Sequence, residues 1–139
     1  MHQIAPQYLD NGKVKVIYRH FAFIGPESEW AAQAADCAGE QGKFWAYGDY
    51  LFKHQAGENN GAFSRDNLKK FAGALALDTA AFSACLDSGK YTAAMQKDMA
   101  EGRQRGVNAT PWVFIGGQRL ENILDVPKLT ARLDALQPR

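Results

Sequence analysis

The segment Gly106–Gly117, which reads GVNATPWVFIGG, restricts the fold more than any other part of the chain. Its central residues, Trp112 to Ile115, are bulky and favour β-structure, and glycines bound the segment on both sides, which predicts one buried strand. Pro111 stands at the mouth of that strand, a position where a proline is tolerated. From this spacing alone the Thr110–Pro111 bond is expected to be trans, because only about 5–6% of X-Pro bonds in folded proteins are cis.

Short elements are predicted on both sides of this strand. Apolar and charged residues alternate across Val14–Arg19, and this period of two predicts a second strand. The glycine pair at 116 and 117 predicts a turn into a partner strand at Gln118–Leu120. Met1–Leu9 has the pattern of the tail of a helix, and Asp125 is placed to cap a final amphipathic helix.

Between Glu27 and Gln104 the apolar residues recur every three or four positions, which predicts helices throughout. Ser64 and Asp78 are placed to cap two of these helices, and Ser88 with Gly89 ends one. The stripes expected to face a core contain Trp30, Ala34, Cys37 and Ala38, then Phe44, Tyr47, Leu51 and Phe52, and finally Tyr91, Met95 and Met99.

In this order, the segments resemble the DsbA-like thiol:disulfide oxidoreductases, which have a thioredoxin fold. The segments that carry the resemblance are Gly12–Val16 with Arg19–Phe21, Ala34–Ala38, Gln41–Trp45, Leu51–Phe52, Leu86–Tyr91 and Gly106–Gly117. The resemblance implies an α/β chain with an incomplete thioredoxin-like fold and an inserted all-helical subdomain. It implies a single DsbA-like domain over residues 1–139, with 1–25 and 106–139 as the thioredoxin-like part and 26–105 as the helical insertion.

The resemblance also implies a substrate site. In the family, the residue that matches Pro111 is a cis-proline beside the redox site, and the residue that matches Thr110 pairs its backbone with the substrate peptide. Thr110 and Pro111 are therefore expected to bind substrate, with a cis bond between them against the base rate. The partners implied are substrate proteins or peptides that contain cysteines.

The motif that carries the family's chemistry does not occur in this sequence. The family uses a Cys-x-x-Cys at a helix start, where the helix N-terminus stabilises the first thiolate. The two cysteines of this chain, Cys37 and Cys85, are 48 positions apart. No catalytic residue is therefore expected in this chain, and the resemblance places the motif and the strand before it upstream of Met1.

Two interpretations of Cys37 and Cys85 follow from their positions. Each lies on the apolar stripe of a separate helix, where burial raises the pKa of a thiol and makes it unreactive. They are either two buried free thiols or a disulfide that joins two helices. Some DsbA-like proteins carry a second, non-catalytic disulfide in the helical insertion, so the resemblance favours a structural disulfide between Cys37 and Cys85.

Composition excludes several other function classes. Sixteen Lys and Arg balance 15 Asp and Glu, with no basic run, so neither nucleic acid nor anionic lipid is indicated. No segment has the roughly 20 apolar residues that span a bilayer, and the N-terminus lacks a signal-peptide pattern. The three histidines lie in separate segments, so no metal site and no cofactor are expected. Of these, only His20, at a strand end, is a candidate for catalysis, and a structural role is the commoner one.

Two functions are consistent with these features. The first is the C-terminal portion of a DsbA-like protein-disulfide oxidoreductase, itself redox-inactive, working outside the cytoplasm by resemblance. The alternative is a non-catalytic peptide- or protein-binding module on the same scaffold. A third interpretation, a glutathione-transferase-like protein that uses a serine, also requires a site residue upstream of Met1. The resemblance also implies that the central strand is missing, which has two possible consequences. One is a homo-oligomer or strand-swapped dimer. The other is direct antiparallel pairing of the Val14–Arg19 strand with the strand that follows Pro111.

Overall fold

The computed structural model describes residues 8–10, 12–122 and 125–136. Its elements are helices α1 (Pro26–Gly39), α2 (Phe44–Lys53), α3 (Arg65–Ala74), α4 (Thr79–Ser88) and α5 (Thr92–Gln104), strands β1 (Val113–Ile115) and β2 (Gln118–Leu120), and helix α6 (Val126–Asp134). The contacts between residues divide the chain into two compact units. One comprises residues 1–18 with 105–139, and the other comprises residues 19–104.

The unit formed by residues 19–104 is entirely helical in its regular structure, and local capping sets several of its helix ends. The Ser64 side chain accepts a hydrogen bond from the backbone of Asn67 at the start of α3. Asp78 Oδ1 accepts from two backbone N–H groups at the start of α4. Gly89 ends α4 in the left-handed conformation with φ of 65°, which glycine adopts without a Cβ clash. These three ends agree with the sequence pattern.

The core of the helical unit lies where α1 packs against α2, α3 and α4. Tyr47 and Phe82 are fully buried there, with ring centroids 5.4 Å apart. The Tyr47 hydroxyl donates to the Leu68 carbonyl at 2.8 Å, so this polar atom is paired in the apolar interior, and burial raises the pKa of Tyr47. The buried members of this core are Ala34, Ala35, Cys37, Ala38, Tyr47, Leu68, Ala72, Leu77, Phe82, Cys85 and Leu86.

A disulfide joins α1 to α4 inside this core. The Cys37 and Cys85 sulfurs are 2.03 Å apart, and the Cα atoms are 5.9 Å apart. Of the two interpretations left open by the sequence, the structure therefore contains the disulfide. The bond closes a long segment of chain that includes α2 and α3, so it restricts the unfolded state over most of this unit.

A buried carboxylate holds the loop between α2 and α3. Glu27, in the first turn of α1, is only 9% exposed. Its two carboxylate oxygens accept hydrogen bonds from the backbone N–H groups of Gly61 and Phe63, at 2.6 and 2.8 Å. Asn59 binds back to α1, because its amide oxygen accepts from the Glu27 N–H. The loop is thus attached to the start of α1 by polar contacts, and Phe63 near its end also packs against the helical core.

The unit formed by residues 1–18 and 105–139 contains an antiparallel hairpin and α6. β1 and β2 pair with Val113 opposite Leu120 and Ile115 opposite Gln118, around the turn at Gly116 and Gly117. The small core contains Tyr8, Ile115 and Leu133, with Val14, Val113, Leu120 and Leu129 packed against it. The Tyr8 hydroxyl donates to Asp134 Oδ1 at 2.7 Å, and this hydrogen bond raises the pKa of Tyr8. Asp125 caps α6 as its position predicts, accepting from the Lys128 N–H at 3.1 Å.

Three predictions from the sequence differ from the structure. The strand predicted across Val14–Arg19 is wrong, because residues 14–20 form no ladder with any strand that the structure describes. Val14 and Val16 are partly buried, but Tyr18 on the same predicted face is 48% exposed and Ile17 is 61% exposed. A strand also requires a partner. The strand after Pro111 begins at Val113 rather than at Trp112. Phe52, predicted on the inner stripe of α2, is 73% exposed. The predicted helix tail Met1–Leu9 lies mostly outside the described residues.

We expect the Cys37–Cys85 disulfide to contribute substantially to stability. On the chain-entropy model, a closed loop of about 49 residues stabilises the folded state by roughly 4 kcal/mol. A reductant should therefore lower the urea midpoint of the wild-type protein strongly. The Cys37→Ala/Cys85→Ala variant should unfold at a low midpoint that reductant does not change. Equal midpoints for oxidised and reduced wild-type protein would contradict this expectation.

We expect Glu27→Gln to destabilise the protein by about 1–3 kcal/mol, because the uncharged amide cannot accept hydrogen bonds at both of its terminal atoms. Glu29→Gln is the matched control, since Glu29 lies in the same turn of α1 but is exposed. The measurement is urea unfolding followed by circular dichroism. The explanation fails if the two variants have the same midpoint.

Candidate functional site

The Thr110–Pro111 step is an exposed segment of backbone directly before β1. Both residues are exposed, and the peptide bond between them is cis. No hydrogen bond joins the backbone of Asn108, Ala109 or Thr110 to another residue that the structure describes. The N–H and C=O groups of this segment are therefore accessible to an extended chain, which can pair with them as a strand pairs with a sheet edge.

Aromatic and cationic side chains form a layer beside this step. Trp112 and Phe114 have ring centroids 6.1 Å apart. The guanidinium carbon of Arg119 lies 3.6 Å from the Trp112 ring centroid, and that of Arg105 lies 5.5 Å from the Phe114 ring centroid. Val113 and Ile115, which alternate with these rings along the chain, pack into the core with Tyr8 instead. The layer of Arg105, Trp112, Phe114 and Arg119 thus belongs to the opposite face of the hairpin.

The sequence interpretation named Thr110 and Pro111 as the candidate site but did not indicate the two arginines that lie near them. The tight turn at Gly116 and Gly117 fixes the register in which Phe114 lies opposite Arg119. The position of Arg119 could therefore have been predicted from the sequence. Arg105 precedes the β-segment by several residues, in a loop whose path the sequence pattern does not specify.

The two cysteine sulfurs of this chain are buried away from solvent. Cys37 is 1% exposed and Cys85 is 8% exposed, and neither is a free thiol. Cys85 Sγ lies 4.0 Å from Glu40 Oε1. Hydrogen bonds from Lys90 and Tyr91 lower the pKa of Glu40, so this carboxylate stays negatively charged. A negative charge beside the sulfur disfavours a thiolate there, which is the reverse of the environment that activates a redox cysteine.

His20 is held by carboxylates within the helical unit. It is 8% exposed, its backbone N–H donates to Asp98 Oδ2 at 3.1 Å, and its Nε2 lies 3.2 Å from Asp36 Oδ2. Arg19 donates to the other oxygen of Asp98 at 3.0 Å. These contacts connect the segment before α1 to α1 itself and to α5, which is a structural role. The sequence did not indicate Asp36 or Asp98 as partners.

Within the described part of the chain, no group of three or more His, Cys, Asp or Glu side chains is arranged to hold a metal ion. The helices described are all too short or too polar to cross a bilayer.

The fold is that of a thioredoxin-like protein of the DsbA type, incomplete in its sheet and carrying a helical insertion. The crystal structure of BdbD from Bacillus subtilis in its oxidised form superimposes with a TM-score of 0.84 over 96% of this chain and 74% of that chain, at 20% sequence identity. That similarity concerns the fold. A family model described as Thioredoxin matches residues 1–135. The chain belongs to this thioredoxin family.

Curated relatives of two kinds are similar to this chain. The Na(+)/H(+) antiporter NhaA of Herminiimonas arsenicoxydans is 34% identical over 122 residues, which are 88% of this chain and 19% of the antiporter. The probable disulfide bond formation protein D of Bacillus cereus is 25% identical over 119 residues, which are 83% of this chain and 55% of that protein. The chain thus spans about a fifth of the antiporter and about half of the disulfide bond formation protein.

Proposed function

We propose that this chain is the substrate-binding portion of a DsbA-like protein-disulfide oxidoreductase, with Thr110 and Pro111 pairing with an extended substrate peptide. The observation that carries the proposal is the exposed backbone of Asn108, Ala109 and Thr110, which has no hydrogen-bond partner among the described residues. Addition of a strand to such an edge gives affinity through the main chain and leaves side chains to set specificity.

The comparisons support a role in disulfide exchange. The relative named as a probable disulfide bond formation protein D matches 83% of this chain, and the substrates proposed are proteins or peptides with cysteines. An extracytoplasmic location is part of the proposal, because disulfides such as Cys37–Cys85 persist in oxidising compartments. We also keep as a proposal the division into a thioredoxin-like part, 1–25 with 106–139, and a helical insertion, 26–105.

The chain itself is proposed to be redox-inactive and to need no cofactor. Thiol–disulfide exchange requires a thiolate that attacks and a second sulfur that resolves the mixed disulfide. The only two cysteines of the sequence, Cys37 and Cys85, are joined to each other in the helical core. We assign them a structural role.

We expect a cysteine-containing peptide to slow hydrogen exchange at the Thr110 amide, because strand pairing would engage that N–H group. Two-dimensional NMR with a blocked, nine-residue peptide is the measurement, and a peptide N-methylated at its central residues is the control. The unmodified peptide should protect the amide and the methylated peptide should not. Protection that is absent at saturating peptide, or that survives N-methylation, refutes the pairing.

We expect no catalysis of insulin reduction by dithiothreitol, measured as turbidity, from either the wild-type chain or Cys37→Ala/Cys85→Ala. The physical reason is the lack of an accessible low-pKa thiol. Turnover by the wild type that the double variant loses would show that the buried disulfide is the redox pair. That result would overturn its structural assignment.

Self-association is a further part of the proposal. Within the described residues β1 pairs with no strand besides β2, and Ile17 and Tyr18 are exposed. Light scattering after size exclusion should give the mass of a dimer or higher oligomer at high micromolar concentration. A monodisperse monomer under those conditions contradicts it.

A second candidate function is a non-catalytic binding module. The similarity to an antiporter favours it, since 88% of this chain matches a protein whose name describes ion transport rather than disulfide exchange. The genomic DNA on the 5′ side of the Met1 codon distinguishes the two candidates. An in-frame strand with Cys-x-x-Cys favours the oxidoreductase, and an in-frame stop codon or membrane-spanning segment favours the binding module.

A further inference from the structure

The contact between Arg119 and Trp112 is the closest cation–aromatic contact that the structure describes. The guanidinium carbon is 3.6 Å from the ring centroid, whereas the other pairs of this kind are separated by 5.5–5.7 Å. At 3.6 Å the planar guanidinium lies against the face of the indole. Arg119 is on β2 and Trp112 directly follows Pro111, so the hairpin carries this cation to the proposed peptide edge.

Stacking leaves the hydrogen-bonding edge of the guanidinium accessible. The group has five N–H donors that point outward in its own plane, and the contact with the indole uses only its face. Stacking also restricts the rotation of a flexible side chain, so less entropy is lost when a ligand binds to it. Arg119 is exposed, and among residues 8–10, 12–122 and 125–136 it takes part in no ion pair, although Glu121 lies only two positions further along the chain.

A second cation extends the same surface. Arg105 lies over Phe114, and Phe114 lies beside Trp112 and opposite Arg119 in the hairpin register. Each of the two aromatic rings is thus covered by one guanidinium group, Trp112 by Arg119 and Phe114 by Arg105. Both rings follow the Thr110–Pro111 step along the chain. Both arginines are exposed, and the rings beneath them are partly buried.

We propose that this layer of Arg105, Trp112, Phe114 and Arg119 recognises a carboxylate side chain of the bound peptide, so that the site selects segments with Asp or Glu near the residue that pairs with Thr110. This inference deepens the proposed function and rests on it. A guanidinium binds a carboxylate with two parallel N–H···O bonds, and a stacked guanidinium presents that edge in a fixed direction. The backbone of the peptide would supply affinity, and the arginine layer would supply selectivity.

The experiment compares blocked nine-residue peptides that differ at one position. Each peptide has a central cysteine. In one set the varied residue (Glu, Gln or Lys) lies two positions before the cysteine, and in a second set it lies two positions after it. These positions are chosen because side chains two residues apart lie on the same face of an extended peptide. Dissociation constants come from calorimetry, and protection of the Thr110 amide reports pairing separately. The proteins are the wild type, Arg119→Gln, Arg119→Lys and the control Arg132→Gln, which removes an exposed arginine of α6 in the same unit.

We expect the wild type to bind the Glu peptide about fivefold more tightly than the Gln peptide at one of the two positions. This ratio corresponds to an exposed ion pair worth up to about 1 kcal/mol. The Lys peptide should bind more weakly than the Gln peptide. In Arg119→Gln the Glu-to-Gln ratio should fall to about one while the Gln peptide still protects the Thr110 amide. Arg119→Lys should keep only part of the preference, because an ammonium neither stacks in a plane nor forms the double hydrogen bond. Arg132→Gln should keep the full ratio.

Three results would overturn the inference. Equal binding of all three peptides by the wild type, with the Thr110 amide protected, rejects the selectivity and leaves the proposed function standing. A ratio that falls equally in Arg119→Gln and Arg132→Gln indicates only a diffuse charge effect. Failure of every peptide to protect the Thr110 amide overturns the proposed function together with the inference. Equal binding by the wild type rejects the selectivity without any variant, and protection of the Thr110 amide by the Gln peptide shows that each variant is folded and binds.

Discussion

Every buried backbone N–H and C=O group needs a hydrogen-bond partner, and the architecture of this chain follows from how each segment meets that requirement. A helix pairs its backbone within itself, so α1 to α4 can bury their apolar faces together around Tyr47, Phe82 and the disulfide. A strand cannot do so, and among the described residues only β2 pairs with β1. The unpaired backbone before β1 is exposed for the same reason. The proposed binding edge is one described segment in which secondary structure leaves backbone hydrogen bonds unmade.

The two cysteine sulfurs lie in an environment that differs from that of a redox cysteine. Disulfide exchange requires an accessible thiolate near positive charge, often at a helix start. Cys37 and Cys85 instead lie within α1 and α4, among apolar side chains and near the negatively charged Glu40. Such an environment suits a permanent covalent link between two helices. We therefore propose that this disulfide restricts the unfolded chain instead of acting as the redox pair of a Cys-x-x-Cys.

Polar contacts help to hold the segments that connect the helices. Glu27 fixes the loop after α2 through two backbone N–H groups, and Asp98 fixes the segment before α1 through the His20 backbone and the Arg19 side chain. On the hairpin, Arg119 and Arg105 cover aromatic rings that lie on the face away from the small core. In each case a charged group is positioned by a planar or bidentate contact, so its direction is defined as well as its location.

The sequence by itself determined the features that depend on neighbours a few residues away. These are the caps at Ser64, Asp78 and Asp125, the helix end at Gly89 and the hairpin at Gly116 and Gly117, because each is a local interaction between a side chain or a glycine and the adjacent backbone. The resemblance to DsbA-like proteins, carried by whole segments, supplied the fold and the cysteine pairing.

Only the tertiary structure decided the features that depend on distant residues. The alternating pattern of Val14–Arg19 predicts a strand, but strand formation needs a partner that the described sheet does not provide. Phe52 has the apolar character of a core residue, yet the packing of α2 against α1 and α3 leaves it on the outer side. Asp98 reaches His20 across 78 positions of sequence, and no local pattern contains that distance. Pairing, burial and long-range charge contacts are properties of two segments at once, so one segment's sequence cannot specify them.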